Sequence, residues 1–175
     1  MRLLPHIVLA YIAVGLHAGL GALLAVGEMR VLLPWIAAAF IASTVPAASA
    51  PLGALLVGLA LDLVGGGAIG TYAAAFGVGG WVIAKLRAGR NTSRPMRLWS
   101  YMAAGAFVVA YAAQLLLYVR EIASGSVGDA GIVGLFFTRF FNAMGTGFFT
   151  AVIALPFAYL LWKLHSRFRL RDASY

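Results

Sequence analysis

An aspartate inside an apolar run is the residue of this chain best placed to do chemistry. Asp62 lies in GLALDLVGGGAIGTYA, residues 58–73, with no other charged side chain in the stretch. A carboxylate in a hydrocarbon-facing helix costs about 2.5–3.5 kcal/mol by insertion scales, so such a group turns inward and takes a partner. The cation at matching depth is Arg139, in the last apolar segment. Asn142 and Thr146 follow it at i+3 and i+7, on one helical face. Gln114, shortly before Arg120, falls at a similar depth. These spacings predict a polar cluster of Asp62, Arg139, Asn142 and Gln114. It reads either as an ion pair that sets helix register or as a contact for a partner or ligand.

The remaining constellations point away from catalysis. Gly65-Gly66-Gly67, with Gly70, is glycine-rich like a phosphate loop, but no GK[ST] follows, so a tight turn is expected. His6, His17 and His165 are too scattered to form a metal motif. His17 sits near the middle of an apolar run and reads as a hydrogen bond to a neighbouring helix or, less commonly, as a proton relay. Cysteine is absent, which removes disulfides, thiolate metal sites and cysteine nucleophiles together. An aspartyl peptidase needs two carboxylates in its spans, and only Asp62 is so placed. Neither a GxSxG element nor an HExxH occurs. No catalytic residue, cofactor or metal is expected.

The elements that must position these residues follow from composition. The 175 residues are 63% hydrophobic and 10% charged, whereas about a quarter of the residues of a soluble domain are charged. The apolar residues come in blocks, and lipid is the expected solvent. Leu3–Val26 exceeds the roughly 20 residues needed to cross a bilayer core and reads as an uncleaved first helix. Within it, Gly15 and Gly19 form a GxxxG spacing, suited to close helix packing inside the chain or against a partner. Gly27–Arg30 is a minimal turn, Val31–Ser49 a second span, and Pro51 suits the first turn of a third helix. Pro51–Val64 is only about 21 Å long as a helix. The third segment therefore runs on into the glycines, or the second and third are short or re-entrant. Thr71–Leu86, Leu98–Val119 and Ile132–Trp162 complete six spans, the last long enough to tilt or to bend at Pro156. The expected fold is all-α: one transmembrane domain, residues 1–175, forming a compact six-helix bundle.

Charge sets the expected orientation. Lys85, Arg87, Arg90, Arg94 and Arg97 form one basic block, and Lys163, Arg167, Arg169 and Arg171 form another. With Arg2, these place both termini in the cytoplasm by the positive-inside rule. The same cations are expected to face lipid headgroups, at about 1 kcal/mol each. Without a basic soluble module, the formal charge of +8 gives no reason to expect nucleic acid as a partner. Trp35, Trp81, Trp99 and Trp162 are each expected at a membrane boundary.

The run from Gly58 to Ala73 resembles the central signature of the rod shape-determining MreD family. The matching positions are Gly58, Asp62, Leu63, Val64, Gly66 and Gly70, followed by an apolar span and a basic loop. Arg139 has no counterpart in that pattern. The resemblance implies a non-enzymatic subunit of the bacterial elongation (rod) complex, multi-pass in the inner membrane. It would bind the single-span protein MreC and, through it, join the MreB cytoskeleton to the glycosyltransferase RodA and its penicillin-binding transpeptidase, directing lateral peptidoglycan synthesis and cell shape. The competing expectation is a substrate-binding membrane subunit of an energy-coupling-type vitamin transporter. Those subunits also have about six spans and are thought to resemble MreD in fold, and the polar cluster would then line a ligand pocket.

Overall fold

The computed structural model describes residues 3–20, 23, 25–26, 29–65, 69–88, 95–126 and 131–168. In chain order these form helix α1 (Leu3–Leu20), the two-residue strands β1 (Ala25–Val26) and β2 (Met29–Arg30), and helices α2 (Leu33–Thr44), α3 (Ala50–Gly65), α4 (Thr71–Arg87), α5 (Pro95–Ala123) and α6 (Gly131–Phe168). The strands pair antiparallel, Ala25 opposite Arg30 and Val26 opposite Met29. Apart from this pair the described elements are helices. The expected turn residues Gly27 and Glu28 lie outside the described residues.

Helix boundaries follow local chemistry. The first helix does not reach the expected Val26: it is described over Leu3–Leu20, and Ala25–Val26 form a strand. Helix α2 starts with a proline in its first turn. It ends at Thr44 because Pro46 drives Val45 to an extended backbone, φ −83° and ψ 163°. Pro51 opens α3, as expected. Helix α6 continues unbroken through Pro156, which removes one N–H from the ladder toward the Val152 carbonyl.

Helix α2 is the centre. Its residues from Leu33 to Ser43 are all buried, as befits a helix apolar on every side. It touches all five other helices, which surround it in the order α1, α3, α4, α5, α6. Neither α1 and α6 nor α3 and α6 pack directly on one another. At 12 residues, α2 is about 18 Å long, and α3 about 24 Å. Both are shorter than the roughly 30 Å hydrocarbon core. Helices α5 and α6 alone among the described elements are long and apolar enough to cross a membrane.

Trp35 fastens the centre. It is fully buried, donates its indole N–H to the Met102 carbonyl at 3.1 Å, and meets Phe76 edge-on with ring centroids 5.4 Å apart. The indole finds its acceptor inside the bundle and turns away from the surroundings. Two glycines make the slot for it. A Cβ at Gly79 would stand 2.5 Å from the ring, and one at Gly105 would overlap it. Trp99 is half-buried and donates to the Ala151 carbonyl at 2.9 Å, joining α5 to α6, while Trp81 is exposed.

Gly105→Ala should therefore lower stability by about 1–3 kcal/mol through overpacking. In the Trp35→Phe background, where the larger ring is gone, the same substitution should cost less. Thermal unfolding of the four proteins in detergent measures the coupling.

Candidate functional site: a capped helix hairpin and a polar clasp

Helix α4 begins without a capping side chain. Its N-cap is Gly70, at φ 96°, a left-handed backbone that a residue with a Cβ rarely adopts. The first turn still has backbone N–H groups to satisfy. Asp62, near the end of α3, supplies the missing acceptor from across the turn. One carboxylate oxygen accepts from the N–H of Gly70 at 2.9 Å and of Ala73 at 3.0 Å, and the other accepts from Tyr72 at 3.0 Å. The carboxylate is 4% exposed. It stands at the positive end of the α4 dipole, where negative charge is favoured.

The hairpin is close enough for this because its facing residues are small. A Cβ on Gly58 would collide with the Tyr72 carbonyl and stand 2.9 Å from the Ala73 Cα. Ala50, Ala54, Val57, Gly58, Leu61 and Asp62 form the buried stripe of α3. Small residues on such a stripe let two backbones approach. Gly58, Asp62 and Gly70 thus converge on one built feature. Gly66 lies outside the described residues.

The expected Asp62–Arg139 pair does not form. Asp62 is taken up by α4, and α3 and α6 are not neighbours. Arg139 clasps α5 instead. Its Nε donates to Glu121 Oε2 at 3.2 Å, its second terminal nitrogen to Glu121 Oε1, and its first to Gln114 Oε1 at 3.1 Å. Glu121 escaped the sequence reading because α5 runs to Ala123, beyond the expected Val119. A carboxylate 18 residues before an arginine across a helix turn was the available signal. The Gln114–Arg139 contact joins two of the four residues expected to cluster. Asn142 is buried further along α6, with Thr146 and Thr150 below it on the same stripe. Thr150 accepts the Leu32 N–H at 3.0 Å, so this stripe fastens the approach to α2.

Several other expected site residues land elsewhere. Arg87, expected to face lipid, turns inward and donates to the carbonyls of Ser43, at 2.6 Å, and Val45. These carbonyls end α2 and have no partner in its own ladder, so the guanidinium completes that helix. Lys85 and Arg97 are exposed, as is Lys163. Arg90, Arg94, Arg169 and Arg171, and the side chain of Arg167, lie outside the described residues. Gly15 and Gly19 have no atom within 4 Å of where a Cβ would stand, so they serve no helix packing among the described residues.

Chemically, the described polar groups hold helices together. Both described carboxylates, Asp62 and Glu121, are engaged by donors within the chain. Removing Asp62 with alanine leaves three donors at the α4 N-terminus, at a cost of about 2–4 kcal/mol. Chemical denaturation should find this cost unchanged by Arg139→Ala, because the two residues share no partner. A Glu121/Arg139 double-mutant cycle, by contrast, should return about 1 kcal/mol of coupling for a bidentate, partly exposed pair.

No protein-family model matches this chain, and no curated protein or solved structure is similar enough to count as a match.

Proposed function

We propose that this protein is a non-enzymatic scaffold subunit of the bacterial elongation complex, of the MreD kind, embedded in the inner membrane with both termini in the cytoplasm. The observation that carries the reading is the hairpin built by Gly58, Asp62 and Gly70. These are three positions of the MreD-like run, and they converge on one clamp whose acid is committed to backbone donors. In this reading Asp62 is a folding element, and the working surfaces are the sides of the bundle.

Those sides are apolar. Val133, Phe137, Phe141, Phe148, Val152 and Leu155 on α6 are each half or more exposed, as are Tyr11 on α1 and Leu52 on α3. Surfaces this extensive call for lipid or for neighbouring membrane helices. Charge supports the orientation. The His6–Thr44 bond of 3.1 Å and the Arg87 bonds gather the start of α1 and the ends of α2 and α4 at one end of the bundle. The first basic block, which begins at Lys85 in α4, attaches to that end, which the positive-inside rule assigns to the cytoplasm. The short helices α1 to α4 cross in this reading with local thinning of the bilayer.

In the proposed complex the protein contacts MreC laterally, and through it RodA and its transpeptidase, with MreB engaged indirectly. Affinity purification of the tagged chain from native membranes should recover a single-span coiled-coil protein together with those two synthases. Recovery of a bound vitamin with an energising ATPase module would contradict this reading and support the transporter subunit instead.

A further inference from the structure

The α3–α4 hairpin carries a cation that the described acids leave without a carboxylate. Lys85 Nζ lies 5.7 Å above the Trp81 ring, and among the described residues no acid reaches it. Trp81 is 54% exposed. Arg87, two residues on, is withdrawn to end α2, so Lys85 is the charge of this helix end that remains at the surface. The register of the hairpin sets what lies beside it. A Cβ on Gly80 would meet the Ala50 carbonyl and the Ala54 side chain, so the start of α3 runs beside this end of α4. Leu52 is 60% exposed, and Val78, on the α4 turn before Trp81, is 47% exposed. Val78, Trp81 and Lys85 follow one another at i, i+3 and i+7, so this face of α4 runs from an apolar side chain to an indole and an ammonium.

We infer that this surface seats one anionic phospholipid, with its phosphate on Lys85, its glycerol region against the Trp81 indole, and an acyl chain along Val78. Charge complementarity selects the occupant. Residues 85–97 contain five basic side chains and no acidic one, so a zwitterionic headgroup leaves this end uncompensated. The indole suits the interfacial depth of a headgroup and holds the ammonium over its face. The inference rests on the membrane location proposed above and adds a specific lipid site to it.

The test uses the full chain in nanodiscs containing phosphatidylcholine and phosphatidylglycerol, with brominated acyl chains on one lipid at a time. Tryptophan fluorescence is compared with that of Trp81→Phe to isolate the Trp81 component. Brominated phosphatidylglycerol should quench that component with a roughly fivefold preference over brominated phosphatidylcholine. Lys85→Gln should abolish the preference and Lys85→Arg should keep it. Equal quenching by the two lipids, or a preference that survives Lys85→Gln, would overturn the seat while leaving the membrane location intact. Quenching by neither lipid would overturn the membrane location as well. Inorganic phosphate at millimolar concentration should leave the preference unchanged. Its loss would identify a free-phosphate site and overturn the lipid assignment.

Discussion

A buried carboxylate has to be compensated, and in this protein the compensation is the start of a helix. Asp62 leaves water and accepts three N–H bonds from the first turn of α4. Each charge-assisted bond contributes more than a neutral one, and together they offset a desolvation cost that a lone acid in a bundle could not carry. The rest of the arrangement depends on that clamp. It fixes α4 against α3, with Gly58 allowing the contact. A fixed α4 presents Gly79 to the Trp35 ring and Arg87 to the end of α2. The central helix, apolar on every side, is thereby held near its start and at its end.

The parts of this that were legible in the sequence are those set by local composition. Six helices follow from the apolar blocks, and the breaks at Pro46 and Pro51 stand where proline chemistry puts them. Asp62 stood out because a single acid in an apolar run must be accommodated somehow. Its partner was misread because matching depth along two helices says nothing about whether those helices are neighbours. A better signal lay eight residues on: a helix that starts at a glycine lacks a capping side chain, and a nearby acid can supply one. The inward turn of Arg87 and the internal partner of Trp35 were hidden for a related reason. Both residue types are common at membrane surfaces, and only the packing of α2 reveals that its terminal carbonyls and a slot between two glycines draw them inward. The length of α2 was equally hidden, since an apolar stretch looks the same whether it is a full span or a short buried core.

With the described acids bound inside the chain, the exposed surface among the described residues is largely apolar flanks. In the proposed scaffold the lateral contacts are the working ones, and the polar interior holds those flanks at fixed angles. The clasp of Glu121, Gln114 and Arg139 does this for α5 and α6, as the Asp62 clamp does for α3 and α4. The two devices are independent because their helices are not shared. That separation distinguishes a rigid scaffold from a bundle with one polar pocket at its centre, and it favours the proposed scaffold over a ligand carrier.

The most direct test of the Asp62 clamp is amide hydrogen exchange at Gly70, Tyr72 and Ala73. In the native protein these three amides should be protected although they open a helix, where first-turn amides ordinarily exchange freely. In Asp62→Ala they should exchange at least roughly tenfold faster, with the amides around Arg139 unchanged. Equal exchange at the three positions with and without the carboxylate would contradict the account.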